Sequence, residues 1–260
     1  VTEPAGHPVP GPAALFDPGA PDLPTAPIGG WRTAIVHSVR HPTPRSVAIR
    51  LDVPDRVDHW PGQHYVVRLT AEDGYTASRS YSVASAPADP QLELYVERLE
   101  DGEVSSFLAD ELRPGDPLEI RGPIGGWFVW TGGRPATAVG GGSGVVPFVS
   151  MLRHAVDLDR TDLLSLVVAA RTLADLPYAD ELRAAGARIV LSREDRPDRP
   201  AGRLSAADLA GVPVAGARCL VCGSAGFAET ASRLLVDAGA DPAQVRVERF
   251  GPSGGPAPLF

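Results

Sequence analysis

The stretch from Ala136 to Leu158 constrains this chain more than any other. A short apolar run, Ala136–Val139, leads into Gly140-Gly141-Gly142-Ser143-Gly144 and then into a helix-compatible stretch to about Leu158. A glycine-rich turn between a strand and a helix lets the backbone approach a phosphate and aims the helix N-terminus at it. The spacing is not G-x-G-x-x-G, so a plain strand-to-helix turn stands beside dinucleotide binding as a reading of these residues alone. Downstream, Leu163–Ala170, Arg188–Leu191, Ala217–Cys222 and Gln244–Arg249 read as strands, and Ala179–Ala185 and Phe227–Ala238 as helices. Apolar strands alternating with helices form βαβ units around a parallel sheet.

Upstream the period is different. Trp31–Arg40, Arg45–Val53, His64–Thr70, Arg79–Ser85, Gln91–Leu99 and Pro117–Arg121 are short runs rich in β-branched and aromatic residues, separated by Pro, Gly and Asp turns. That pattern predicts a small antiparallel barrel. One helix, Ser106–Leu112, interrupts it, capped by Ser105 or a neighbour and ended by Pro114-Gly115. The expected fold is therefore two domains, an antiparallel β-barrel over 28–132 and an α/β parallel-sheet nucleotide-binding domain over 133–251. A Pro- and Ala-rich arm at 1–27, expected to be disordered, and a tail at 252–260 flank them. At 260 residues the chain is long enough for both domains.

Several function classes are excluded by composition. A net charge of −8 argues against a general nucleic-acid surface. All 24 basic residues are arginine, so no lysine Schiff base can form. Cys219 and Cys222 lie three apart in an apolar strand and face opposite sides, which is poor geometry for a dithiol. Two cysteines cannot supply the four thiolates of an iron–sulfur cluster, and the six histidines show no metal spacing, so no metal site is expected. No run of about 18 apolar residues predicts a membrane span. The N-terminus lacks a basic-then-apolar leader, and the expected location is the cytoplasm.

The candidate functional residues lie on both halves. Arg79-Ser80-Tyr81-Ser82 places a fixed cation, a flat ring and two hydroxyls on one strand, with Arg79 and Tyr81 on one face and Ser80 and Ser82 on the other. Asp101-Gly102-Glu103-Val104-Ser105-Ser106 is a second glycine turn opening a helix, suited to phosphate or to simple capping. Ser192-Arg193-Glu194 and Arg171 each follow a parallel strand, where an arginine and a hydroxyl suit a 2′-phosphate or form a solvated loop. Cys222-Gly223 and Glu248-Arg249-Phe250 close two further strands, and as isolated residues they read as packing or surface groups.

Taken in order, Pro61-Gly62-Gln63, Arg79-Ser80-Tyr81-Ser82, Gly102-x-x-Ser105, Gly122-Pro123-x-Gly125, Gly141-Gly142-Ser143-Gly144-Val145-Val146-Pro147, Cys222-Gly223 and Glu248-Arg249-Phe250 resemble the ferredoxin–NADP reductase superfamily. The nearest likeness is to the reductase parts of bacterial oxygenase systems, without their iron–sulfur domain. The resemblance implies that Arg79 binds the FAD pyrophosphate and that Ser80 belongs to the same flavin-binding strand. It implies further that Tyr81 packs on the flavin or ribityl chain and that Ser82 hydrogen-bonds near flavin N5. Gly102, Glu103, Val104 and Ser105 would hold phosphate. Gly142, Ser143, Gly144, Val145 and Pro147 would receive the nicotinamide nucleotide, Arg171, Ser192 and Arg193 an NADP 2′-phosphate. Cys222, with Gly223 beside it, would lie by nicotinamide C4, Glu248 would support hydride or proton transfer, and Phe250 would take the ring-stacking place. Ten residues follow Phe250, so Phe260 and Trp127 compete for that place. The tyrosine and lysine that NADP-selective relatives carry after the serine-arginine pair are replaced by Arg199 and Arg203. The implied activity passes electrons from NADPH, or NADH, through FAD to a separate protein such as a ferredoxin. A flavin or quinone reductase and a non-catalytic nucleotide sensor are the alternatives.

Overall fold

In a computed structural model, residues 30–250 are described; the predicted arm at 1–27 and tail at 252–260 lie outside them. The first half contains β1 (Arg32–Arg40), β2 (Ser46–Asp52), β3 (His64–Thr70), β4 (Thr76–Ser82), β5 (Leu92–Glu97), α1 (Glu103–Asp110) and β6 (Pro117–Ile124). The six strands pair antiparallel in the order β4-β3-β6-β1-β2-β5. The two edges meet just beyond β4, where Val83 bridges Leu94 and the Ala84 N–H donates to Glu93 O at 2.8 Å. The sheet thus curls into the expected barrel. In β3, Tyr65 and Val67 point inward while His64, Val66 and Arg68 keep some exposure, the period-2 alternation of a strand with one wet face.

Two expectations are corrected here. β4 spans Thr76–Ser82 rather than Arg79–Ser85, because the hairpin with β3 pairs Thr70 with Thr76 and His64 with Ser82. Past Ser82 the chain leaves β3 for β5. The barrel helix starts at Glu103, with Gly102 rather than Ser105 as its N-cap. Ser105 cannot cap because its hydroxyl is turned back to accept from Leu99 N–H at 3.2 Å and to donate to Gly102 O at 3.1 Å.

The second half contains β7 (Ala136–Gly141), α2 (Val146–Asp157), β8 (Leu164–Ala170), α3 (Ala179–Ala184), β9 (Arg188–Leu191), β10 (Arg218–Gly223), α4 (Ala225–Asp237) and β11 (Val245–Arg249). Its five strands are parallel, in the order β11-β10-β7-β8-β9. Both faces are covered, so alternate residues enter different cores. Ala138, Val168, Leu220 and Cys222 pack on one side with Phe148 and Met151 of α2. Val139, Val167, Cys219 and Val221 pack on the other with Ala228, Ala231 and Leu235 of α4. The two free thiols therefore sit in separate cores, as the strand spacing predicts. The first of these cores also contains Ala84, Tyr95, Phe128 and Trp130, so one apolar cluster joins the barrel to the parallel-sheet domain.

Candidate active site

The chain runs outward from β7 to β8 and β9, then returns to β10 on the other side of β7. The order reverses between β7 and β10, and in open α/β sheets ligands bind in the crevice beyond that reversal. Here the crevice is lined by the Gly141–Val145 turn and Cys222-Gly223. Gly144 lies so close to β10 that a Cβ there would sit 2.4 Å from the Cys222 carbonyl oxygen. A tight 3-10 turn over Gly142–Val145 then feeds α2, with Pro147 in the first helical turn, where its missing N–H costs nothing. The Ser143 side chain is half-buried, and its hydroxyl has no hydrogen-bond partner among the described residues.

Strand register places Gly140, Cys222 and Glu248 in one row across β7, β10 and β11. Cys222 is fully buried, and its thiol is pushed well above its ordinary range by burial, with the Glu248 carboxylate adding to the effect. Burial also pushes Glu248 up, to about 7. Beyond it, Phe250 N–H donates to Gly223 O at 2.9 Å and its ring packs on the core shared with the barrel.

On the neighbouring strands, Ser192 N–H donates to Ala170 O at 3.0 Å and Arg193 N–H to Arg171 O at 2.8 Å. These bonds extend the β8–β9 pairing past both strand ends and set Arg171 beside Arg193. Both are exposed, and neither forms an ion pair among the described residues. Glu194 turns away and accepts from Leu173 N–H at 2.7 Å. Arg199 is committed to Asp208, at 2.6 and 3.0 Å, and so takes no part in this arginine pair.

On the barrel, the four residues of the β4 motif differ in environment. Arg79 is exposed and, among the described residues, donates only to the neighbouring Ser78 carbonyl, at 2.7 Å, with no carboxylate matching its charge. Ser80 is exposed. Tyr81 is half-buried against the barrel core, and burial raises its hydroxyl well above the usual phenol range. Ser82 is buried, and its Oγ has no hydrogen-bond partner among the described residues. A buried hydroxyl without a partner is uncommon and calls for an explanation. α1 packs against β4. Its first intrahelical bond is Ser106 N–H to Gly102 O, and no side chain caps it. The N–H groups of Glu103, Val104 and Ser105 therefore precede that bond and are available to an anion. Ser105's hydroxyl is not, since both of its bonds are internal.

The two halves adjoin, because β5 of the barrel lies against the Gly142–Val145 turn. Residues 36–129 match the model of the oxidoreductase FAD-binding domain, and residues 138–233 that of the oxidoreductase NAD-binding domain. The chain therefore carries the FAD-binding and NAD-binding domains of oxidoreductases, in that order. Among curated relatives, it is 29% identical over 79% of its length to the ferredoxin–NAD(P)(+) reductase component of naphthalene 1,2-dioxygenase/salicylate 5-hydroxylase systems from Ralstonia, covering 65% of that protein. It is 32% identical over 60% of its length to the reductase component of propane 2-monooxygenase from Gordonia, covering 46% of that protein. It thus spans about half to two-thirds of the length of these relatives. The crystal structure of an Amycolatopsis cytochrome P450 reductase superposes with a TM-score of 0.73 at 26% identity, over 85% of this chain and 71% of that one.

The residues fit the cofactors of these two domains. Among the described residues, Ser82 offers a buried polar atom with no internal use, Arg79 a cation without a carboxylate, and the start of α1 a set of free N–H donors. Sequence reasoning missed one group altogether. Glu93, inside Leu92-Glu93-Leu94-Tyr95-Val96, belongs to no motif of the sequence and is fully buried. Among the described residues no group of histidine, cysteine or carboxylate side chains could hold a metal. No helix of the described residues is long and apolar enough to cross a membrane.

Proposed function

We propose that this chain is an NAD(P)H-dependent FAD oxidoreductase that passes electrons to a separate redox protein, such as a ferredoxin or an oxygenase component, in the cytoplasm. The observation that carries the reading is the buried, unpartnered Ser82 hydroxyl, next to a domain whose glycine-rich crevice accepts a dinucleotide. Bound FAD would supply the conversion of two-electron hydride chemistry into single-electron delivery. Arg79 and the α1 N-terminus hold its pyrophosphate, Tyr81 packs on its ring or ribityl chain, and Ser82 orients the redox-active edge by a hydrogen bond. The Gly142–Pro147 segment admits the nicotinamide nucleotide. Buried Cys222 keeps water from the nicotinamide face, and Glu248 holds a proton on its carboxyl one strand away. Phe250 closes the same side. The acceptor reading is supported by the reductase components that the chain resembles. Anaerobic titration with NADPH and with NADH tests the function: a yellow protein bleached by either supports it, and a protein that takes up no FAD refutes it.

Arg171 and Arg193 support a preference for NADPH. Replacing Arg193 by alanine removes one charge-assisted contact, worth about 1.5–3 kcal/mol, so the NADPH Michaelis constant should rise roughly tenfold or more. That for NADH should stay near the parent value. Equal changes for both donors would remove Arg193 from 2′-phosphate recognition.

Glu248 should give the reaction a pH profile. Its folded value of about 7 lies above the ordinary 4.5, so the folded state binds a proton that the unfolded state has released between those limits. Stability contributed by the neutral carboxyl is therefore full below about pH 4.5 and is lost as pH rises to 7. The rate of flavin reduction is expected to inflect near pH 7, and Glu248→Gln to flatten that inflection. Stopped-flow reduction across pH 5.5–8.5 (a span of about 1.5 units either side of that value) is the measurement.

A further inference from the structure

A charge cluster around one buried carboxylate, which the proposed chemistry does not use, joins the two domains. Glu93 of β5 is fully buried, and its carboxylate accepts from Arg40 of β1 at 3.0 Å, Arg50 of β2 at 2.9 Å, Arg153 of α2 at 3.3 Å and the Tyr178 hydroxyl at 2.7 Å. The first two donors belong to the barrel and the last two to the parallel-sheet domain. Burial favours the neutral acid, but Arg153, Arg50, Tyr178 and Arg40 together outweigh it and hold the carboxyl down at about 2. Arg153 is fixed from the other side by a bidentate pair with Glu181 of α3, at 2.8 and 2.9 Å. Arg40 and Arg153 both lie over the Tyr178 ring, 5.5 and 5.1 Å from its centroid.

The same helix also grips the backbone that leaves the flavin strand. Arg153 Nη1 donates to Ala84 O at 2.9 Å, and Ser150 Oγ, one turn earlier, donates to Ser85 O at 2.6 Å. Ser85 in turn accepts the Glu93 N–H on its hydroxyl, at 3.0 Å. Ala84 lies two residues beyond Ser82. At its other end α2 starts directly from the Gly142–Val145 turn. One rigid helix therefore connects the turn that receives the nicotinamide nucleotide to the backbone that carries the Ser82 hydroxyl.

We propose that Ser150 and Arg153, anchored by Glu93 and Glu181, are positioning residues that set the register of the nicotinamide site against the flavin site. The inference rests on the reading of those two sites given above. A displacement of about 1 Å between reacting groups can cost up to about a hundredfold in rate, so a direct fastening between the two sites has a large effect available to it. A half-buried arginine suits the task, because its planar fork meets a carboxylate on one edge and a carbonyl on the other.

The test uses the purified, FAD-loaded protein and the variants Arg153→Gln, Arg153→Lys, Ser150→Ala and Tyr178→Phe. Each is followed by anaerobic stopped-flow reduction with NADPH and by amide hydrogen exchange. In Arg153→Gln the reduction rate at saturating NADPH should fall about tenfold or more. The half-saturating NADPH concentration and the FAD content should stay within about threefold, since no ligand contact is removed. Exchange should accelerate together in residues 83–85 and 146–153, and Arg153→Lys should recover part of both effects. Ser150→Ala and Tyr178→Phe, which keep the buried ion pairs, should show the same pattern at smaller size if Arg153→Gln does not fold. A variant with lowered thermal stability but parental rate and exchange would overturn the proposal and leave the cluster a stabilising one. A parent protein that NADPH does not reduce would instead refute the functional reading on which the proposal rests.

Discussion

Ser82→Ala should leave FAD bound and slow its reduction by NADPH about a hundredfold, the usual cost of deleting one preorganised donor at a reacting centre. The Ser82 hydroxyl is buried at the end of β4 and bonds to nothing else among the described residues, so its removal breaks no internal contact. The fold and the FAD content should therefore be unaffected. Arg79→Ala should behave in the opposite way. That side chain is exposed and among the described residues bonds only to Ser78 O, so its loss leaves the barrel intact but removes the counter-charge proposed for the pyrophosphate. FAD should then dissociate on gel filtration, while whatever flavin is added back is reduced near the parental rate. Comparing the FAD-to-protein absorbance ratio with stopped-flow reduction separates the two roles. Ser82→Ala reduced at the parental rate would show that the hydroxyl does not act on the flavin.

Gly144→Ala should disable the nucleotide crevice. The added Cβ would lie 2.4 Å from Cys222 O, 2.5 Å from Cys222 C and 2.7 Å from Gly223 N, all backbone atoms of a central strand. Backbone cannot rotate aside as a side chain can, so the turn must lift from β10. Overpacking of this kind costs about 1–3 kcal/mol, and at roughly 2–4 °C per kcal/mol for a chain of this size the melting temperature should fall by up to about 10 °C. The half-saturating NADPH concentration should rise more than about tenfold, because the displaced turn is the one proposed to receive the nucleotide. Gly30→Ala is the control: nothing among the described residues lies within 4 Å of the added Cβ, and no change is expected. Thermal unfolding and NADPH titration read both variants. An unaltered NADPH titration for Gly144→Ala would mean that the nucleotide does not use this turn.

Much of the architecture was legible because it rests on local pattern. Short runs of β-branched and aromatic residues between Pro, Gly and Asp turns marked the barrel strands, and continuous apolar runs marked the parallel sheet, since a strand buried on both faces needs no polar alternation. The spacing of Cys219 and Cys222 foretold their separation into two cores. The β4 motif was equally readable, because Arg79, Ser80, Tyr81 and Ser82 are consecutive and a strand fixes their faces. Boundaries were less secure where hydrogen bonding chose between partners. Ser105 looked like a cap until its hydroxyl was found turned onto Leu99 and Gly102.

What the sequence determined by itself is thus the order of elements, the two-domain plan and the motifs confined to single turns or strands. Only the tertiary structure decided that the Ser82 hydroxyl is buried without a partner, that Arg171 and Arg193 stand together while Arg199 is withdrawn to Asp208, and that Glu93 is a buried anchor. Glu93 shows the reason. In β5 every residue from Leu92 to Val96 is buried, because the barrel covers one face and the other domain covers the second. A strand's own sequence specifies which residues share a face, but whether that face meets water depends on chain far away. Arg153 and Tyr178, the partners that make the buried carboxylate tolerable, lie 60 and 85 residues along from it.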